Sequence, residues 1–558
     1  MQIYSFSPFG YEGSLVTVEV DLRRGIPAVD VVGLADGAVK ESRERMQAAV
    51  RNSGFAFPPE RILISLSPAD VRKEGAGFDL PIALGVLCAQ AAGGGASDGH
   101  GGGCEPPAAA ERPDGGSRQD VPVLVMGELD LSGNIRPVRG VHAAASTAAA
   151  SGIMRCIVPA ANAEEAREVP GMRVYGADAL TDAFSALGDA SAFSARGGGS
   201  AARADAAPPG CIEIHHVLFP NVAEDGEFGD IVGQKALVRA LQLAAAGGHN
   251  LIAVGAPGCG KTMALQKFPA LLPVLTPEEA QPVTRILSLA GLLPPSEPLV
   301  RIPPFRMPHQ TASIEGMCGG GPQCRPGEIS LAHNGVLFLD EAAEFKTSVL
   351  QMLRVPMESG SVTLCRAGRS TVFPANFQLL MAANPCPCGN YGSEAKLCLC
   401  SARSIELYWK KFSAPLLDRI DIRVSVENEN GAGRRSDSHG FRSSAEAGAF
   451  LERRDCRLTT AALREEVARA VFMQRTRQGK RNAKLSAGEV AEHCALYGAA
   501  EQALDAAVGR YGLSPRAVSS CRKVARTAAD MAGRTDISAA DIREAVFFRQ
   551  SFCNLMDL

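Results

Sequence analysis

The sequence predicts a multidomain α/β protein. An α/β unit at the N-terminus precedes a central α/β domain built on a parallel sheet, and an all-α region follows. Three observations carry this reading. The stretch Leu251-Ile252-Ala253-Val254-Gly255-Ala256-Pro257-Gly258-Cys259-Gly260-Lys261-Thr262 is an apolar run that breaks into a glycine-rich turn ending in Lys-Thr. Strand-like and helix-like segments alternate up to about residue 430, after which helical spacing alone remains. At 558 residues the chain exceeds what one core can fill, so three or four domains are expected.

Composition sets the outer limits. A hydrophobic share of 46% and a charged share of 21% are ordinary for a globular chain. No apolar run reaches the roughly 18 residues that a membrane helix needs. Met1-Gln2-Ile3-Tyr4-Ser5 lacks the basic-then-apolar pattern of a secretory signal, so a cytoplasmic location and no membrane partner are expected. In that reducing compartment the 16 cysteines read as thiols, and those in close pairs are the informative ones. A net charge of −3 excludes a uniformly basic surface and leaves local basic patches open.

Residues 1–193 read as the first domain. Leu15 to Leu22 alternates at strand period, Ala38 to Asn52 has helical spacing, and Ile62 to Leu66 is another strand. Phe78 to Leu87 reads as a buried helix with Pro81 in its first turn. Leu124 to Leu129 is a strand, followed by an alanine-rich helix from Val141 and the strand Cys156-Ile157-Val158. Two stretches hold almost nothing to bury. The first, about 93–120, reads as a disordered insertion, and the second, 194–210, as an interdomain linker.

The core from 211 to 430 carries the chemistry. Glycines at 255, 258 and 260 let backbone N–H groups converge on phosphate oxygens at the start of the helix that Met263 opens. The stretch from Gly255 to Thr262 is therefore the expected ATP cradle, with Lys261 on the β- and γ-phosphates and the Thr262 hydroxyl on Mg²⁺. Gly335 to Leu339 is an apolar strand ending in Asp340 and Glu341. Asp340 would hold the Mg²⁺ shell and Glu341 would polarise the attacking water. Phe377 to Ala383 is a further strand, ending in Asn384.

Cys386-Pro387-Cys388 and Cys398-Leu399-Cys400 are two Cys-x-Cys pairs, an insertion spanning 386–400. Four thiolates so spaced can close a tetrahedral Zn²⁺ site; the alternative is four free thiols. A polar loop at 431–445 leads to a helical region, 446–558, with helices expected at about 461–477, 487–496, 499–511, 515–531 and 539–550. The run from Arg469 to Lys484 contains Arg475, Arg477, Lys480 and Arg481 and no acidic residue. It reads either as a solvated helix end or as a contact for a phosphate backbone.

These motifs resemble those of the magnesium-chelatase-like AAA+ ATPases, and their order resembles the YifB/ComM branch. The resemblance rests on Pro304 to Thr311, Arg325 to His333, Asn384 to Gly389 and Val524 to Asp530, and covers nearly the whole chain. It implies a ring-forming, ATP-hydrolysing motor, a homo-oligomer and by expectation a hexamer, acting on branched or single-stranded DNA as a helicase or branch-migration enzyme. With no base-reading motif visible, that binding is expected to be sequence-independent. The alternative is a metal-insertion or protein-remodelling ATPase. By the same resemblance Asn384 matches a sensor-1 asparagine, Arg419 an arginine finger completing a neighbour's site, and Arg516 a sensor-2 arginine, with Arg522 as the fallback. Flanking Asp418 and Asp421 leave a plain salt bridge open for Arg419.

Ser5-Phe6, Val31 to Leu34, Lys73-Glu74-Gly75, Phe78 to Ala83 and Gly127-Glu128-Leu129 make the first domain resemble this family's N-terminal domain, similar in turn to the Lon protease fold (ribosomal S5 domain 2-like). A Lon-type Ser–Lys dyad would need a serine after the Lys-x-Gly turn and a lysine at the later helix start. Here stand Ala76-Gly77-Phe78 and Gly140-Val141-His142-Ala143, so no protease is expected. His142 reads as an ordinary helix-start histidine.

Overall fold

A computed structural model describes residues 2–33, 37–69, 73, 76–93, 121–195, 208, 210–221, 226–231, 234–294, 296–366, 368–391, 396–426 and 459–550. The expected insertion at 93–120 and loop at 431–445 lie outside these residues, except Gly93, and so does most of the expected linker at 194–210. Ser194 and Ala195, at its start, add a short strand to the first domain's sheet by pairing with Val174 and Arg173.

The N-terminal unit is an eight-stranded mixed sheet, in the order 194–195, 173–177, 155–159, 123–125, 3–7, 14–23, 61–67, 28–32. The strand Ser14–Arg23 alternates because the helix Asp79–Gly93 covers one of its faces, and Val16 and Val18 are buried there. Asp79, buried in the first turn of that helix, accepts from Arg45 Nε at 3.0 Å and from the Leu129 amide. The strand expected from Leu124 to Leu129 breaks in two, Val123–Val125 and Glu128–Leu129. At the break the Gly127 amide donates to Gly77 O, and a Cβ there would stand 2.9 Å from Leu80 Cδ2. The chain leaves the sheet to let that helix approach.

The central sheet is five-stranded and wholly parallel, in the order Phe305–Arg306, Val336–Leu339, Gln378–Ala383, Leu251–Gly255, Ile422–Val426. Each of Leu251 to Gly255 is buried, which is why that stretch reads as an unbroken apolar run. Val254 pairs with Ala383 and Leu339 with Met381, so Gly255, Asp340 and Asn384 emerge at the same edge. Ligands of open parallel sheets sit at that carboxyl edge.

The C-terminal helices Thr460–Gln478, Ala487–His493, Ala499–Tyr511, Pro515–Met531 and Ala539–Gln550 match the sequence expectation to within about three residues at each end. Arg239, on the core helix Lys235–Gly247, is buried and donates to Glu544 at 2.7 Å and Glu466 at 3.0 Å on two of these helices. His249 joins the layers again, with Nε2 2.8 Å from Thr527 Oγ1 and Nδ1 3.4 Å from Asp421. Burial acts to raise the Asp421 pKa, but hydrogen bonds from His249 and Ser520 hold it at about 2.

The basic run finds its partners within the chain. Arg477 makes a two-pronged contact with buried Asp530 and also donates to Asn482. Lys480 pairs with Glu489, Arg475 with Glu279, and half-buried Arg481 donates to Ala245 O. Their charges tie the lid to itself and to the core. Lys480 keeps 40% of its side chain exposed, so the run is ion-paired in place and still partly solvated at the helix end.

The N-terminal unit docks on the core through the helix Pro277–Ala290. His142 Nε2 lies 2.9 Å from Gln281 Oε1, Ser288 contacts Glu165, and the Arg285 guanidinium lies 4.6 Å from the Tyr11 ring centroid. The turn holding Phe9 and Tyr11 also grips the hairpin 361–374. Arg369 stacks 3.7 Å over Phe9, and the Tyr11 amide donates to Thr371 Oγ1 at 3.0 Å.

Candidate ATPase site and cysteine cluster

The glycine-rich turn adopts the backbone that its composition demands. Gly258 and Gly260 have φ of +80° and +84°, a region costly to any residue with a Cβ. Gly255 cannot carry a side chain either, because a Cβ there would meet Val426 O at 2.2 Å. Lys261 begins the helix Lys261–Gln266, and its ammonium donates to Gly255 O at 2.6 Å and Ala256 O at 2.8 Å. Those bonds curl the loop around the lysine. The turn closes one side of a cleft of about 340 Å³ whose other walls include Asp340, Glu341, Ala383 and Asn384.

Within the cleft, Thr262 Oγ1 donates to Asp340 Oδ1 at 3.1 Å. A hydroxyl and a carboxylate at that separation are hard oxygen donors of the kind Mg²⁺ takes. Asn384 Oδ1 lies 3.4 Å from Lys261 Nζ. Glu341 is held in the left-handed region at φ +46°, an uncommon conformation for a side chain of this size and one that concentrates at functional sites. Its carboxylate accepts from Gln310 Nε2 at 2.5 Å. Gln310 belongs to a signature block of the sequence but had drawn no role there, since nothing in a linear reading shows that the segment after Phe305–Arg306 turns towards Glu341.

Comparison with known proteins covers the same three regions. The family model for magnesium chelatase, subunit ChlI, matches residues 227–433, the model for subunit ChlI of Mg-chelatase matches 18–98 and 113–162, and the model for the ChlI C-terminal region matches 457–549. Competence protein ComM of Haemophilus influenzae is 35% identical over 98% of this chain and 97% of its own. YifB of Escherichia coli is 34% identical over 98% and 96%, and an uncharacterized protein of Mycobacterium tuberculosis is 36% identical over 98% of both. The chain belongs to the YifB/ComM family of magnesium-chelatase-like AAA+ proteins. Membership carries ATPase character and the use of ATP and Mg²⁺ with it.

The two arginines that the YifB/ComM resemblance marks stand away from this cleft. Arg419 and Arg516 are absent from its lining, and both donate to Glu358, at 2.5 and 2.7 Å. Neither aspartate flanking Arg419 takes it. Asp418 pairs with Arg549 at 2.7 Å, while Asp421 serves His249 and Ser520. Arg522, the fallback, has its Nε buried with no hydrogen-bond partner.

The four cysteines converge. Their sulfurs all lie within 4.8 Å of one another, with Cys386 to Cys388 at 3.3 Å, Cys386 to Cys398 at 3.7 Å and Cys388 to Cys398 at 3.6 Å. Four thiolates around Zn²⁺ at about 2.3 Å place their sulfurs roughly 3.8 Å apart, so the cluster fits that ion closely. Burial pushes the Cys386 thiol up, whereas the Asn390 amide, with help from Cys386, pulls Cys388 down to about 6. The cluster hangs directly from the ATP site. Cys386 follows Asn384 by two residues, Trp409 Nε1 donates to the intervening Pro385 O at 3.0 Å, and Gly389 packs against Pro257 of the P-loop.

Proposed function

We propose that the chain is a cytoplasmic, ring-forming motor that hydrolyses ATP to displace strands or move branches in DNA, binding its substrate with little regard to sequence. The observation that carries the hydrolytic part is the meeting of Lys261, Thr262, Asp340, Glu341 and Asn384 at one sheet edge, around one cleft. The Lys261 ammonium and the loop amides would take the β- and γ-phosphate oxygens. Thr262 and Asp340 would hold Mg²⁺, which neutralises charge between those phosphates. Glu341, aimed by Gln310, accepts a hydrogen bond from the attacking water and turns its lone pair towards phosphorus. Asn384, beside Lys261, would hydrogen-bond a γ-phosphate oxygen. Arg419 completes the site of a neighbouring subunit, which makes the active species an oligomer, a hexamer in this reading.

The DNA part is supported by end-to-end likeness to a competence protein, competence being the uptake of DNA. The cysteine cluster holds Zn²⁺ and stiffens the loop between the sensor asparagine and the P-loop. Phosphate release measured with single-stranded, duplex and branched DNA, together with movement of a labelled joint, tests the whole. DNA should stimulate turnover and the joint should move only with ATP, less so as salt rises and counterion release is lost. Turnover indifferent to all three DNAs, with no joint moved at low salt, would leave a protein-remodelling or metal-insertion motor.

A further inference from the structure

We infer that Glu358 is a positioning residue that binds Arg419 and Arg516 into one two-pronged anion site, aimed at the γ-phosphate held by the neighbouring subunit. The inference rests on the motor reading above and deepens it. One oxygen, Glu358 Oε1, accepts from Arg419 Nη2 at 2.5 Å and from Arg516 Nη2 at 2.7 Å. The three residues come from three places: the short helix Arg354–Ser359 beyond the Asp340-Glu341 strand, the segment after the helix Ala414–Leu417, and the start of the lid helix Pro515–Met531. Only the fold brings them together.

A shared oxygen fixes the two donor nitrogens within about 5 Å of each other, where two like charges would otherwise repel. Glu358 is the only acidic partner of either arginine among the described residues, because the nearer carboxylates are occupied elsewhere. The arginines in turn hold its carboxyl below the usual glutamate range. Arg419 is fixed at a second point, where Nη1 donates to Pro415 O at 2.6 Å, and its side chain is 11% exposed. Arg516 stays 44% exposed, so donors remain for a phosphate. The cluster of two guanidiniums and one carboxylate keeps a net positive charge. Val355, one turn before Glu358 on the same helix, is a 68% exposed apolar side chain, as suits a face that another subunit covers. Since neither arginine lines its own chain's cleft, the phosphate they serve belongs to the next subunit.

The test uses full-length Glu358→Gln and Glu358→Asp in steady-state ATPase assays, with assembly followed by sedimentation. Glu358→Gln should lower kcat about tenfold, leave KM for ATP and nucleotide binding within about twofold, and assemble normally, while Glu358→Asp regains much of the rate. The decisive arm mixes subunits. Lys261→Ala subunits should rescue Arg419→Ala subunits by supplying intact arginines to working P-loops, and Lys261→Ala/Glu358→Gln subunits should rescue them about tenfold less. An unchanged or raised kcat in Glu358→Gln, or equal rescue by both donors, overturns the assignment. A wild type that hydrolyses no ATP overturns the motor reading itself and the pairing with it.

Discussion

Asn384 Oδ1 lies 3.4 Å from Lys261 Nζ, linking the tip of one strand to the phosphate-binding loop of its neighbour. In the proposed reading a nucleotide seated there would meet both groups, while their neighbours in the cleft would serve different steps. Lys261→Ala removes a charged donor to phosphate and should weaken ATP binding roughly 10- to 100-fold, as loss of a charge-assisted hydrogen bond does. Glu341→Gln removes only the activation of water. Binding should stay within about twofold while kcat falls at least about a hundredfold, the range of general-base losses. Titration with a fluorescent ATP analogue, beside phosphate-release rates, separates the two. Equal loss of binding in both variants would contradict these roles.

Gly389 touches no nucleotide and should still govern its binding. Its φ is +77°, and a Cβ would stand 2.5 Å from Pro257 Cδ. Gly389→Ala therefore forces the P-loop or the cysteine loop to shift. Nucleotide affinity is expected to drop several-fold, with the thermal transition lowered by the strain of a positive φ, about 1 kcal/mol. Binding equal to that of the wild type would show that the two loops move independently.

How much of this was legible in the sequence depended on whether neighbours in space were also neighbours in the chain. The P-loop, the carboxylate pair after Leu339 and the helices of the lid are local patterns, and each lies where spacing placed it. The partner of Arg419 was not legible. Asp418 stands beside it in sequence, but Arg549 claims that carboxylate, and Glu358 reaches the guanidinium from another helix. The partner of Arg477 was hidden for the same reason, since its counter-charge Asp530 lies 53 residues further on. His142 stands at a helix start as its spacing suggests, but its contact with Gln281 depends on domain docking that spacing cannot express.

The cysteine cluster predicts a bound metal. Protein purified without chelator should carry about one Zn²⁺ per chain by elemental analysis, and Cys386→Ser/Cys398→Ser should carry none, since two thiolates cannot close a tetrahedral site. No zinc in the wild type would leave four free thiols. Reactivity of those thiols towards a thiol reagent gives a second readout, slow with metal bound and fast once it is stripped.

Acidification should loosen the docking of the N-terminal unit. Burial lowers the His142 pKa to about 4, with Arg285 adding to the drop and Gln281 opposing it, while Glu165 accepts from the His142 amide. The folded form stays neutral where a freed histidine, near 6.5, takes a proton. Stability is therefore intact above pH 6.5 and lost as pH falls towards 4, at up to about 1.4 kcal/mol per unit and about 3 kcal/mol in all. His333, lowered by burial to about 4 as well, adds a slope of its own. The useful quantity is therefore the difference between wild type and His142→Gln in thermal midpoint from pH 7 to 5. The wild type should lose more; parallel curves would remove His142 from the linkage.

Assembly gives the last expectation, because a trans-acting arginine makes hydrolysis a property of pairs of subunits. Specific activity should rise with protein concentration until the ring is complete, and nucleotide that promotes assembly should steepen the rise. Arg419→Ala keeps Lys261, Thr262, Asp340 and Glu341 in place, so it should bind ATP like the wild type while losing about 10³-fold or more in kcat, the scale on which arginine fingers act. If Arg419 instead did no more than brace its own subunit through Glu358 and Pro415, the variant would lose stability and nucleotide binding along with rate. Measuring all three quantities on one preparation decides between the two. A rate per subunit independent of concentration from dilute monomer upward would mean that each chain hydrolyses alone, and Arg419 would then have no neighbour to serve.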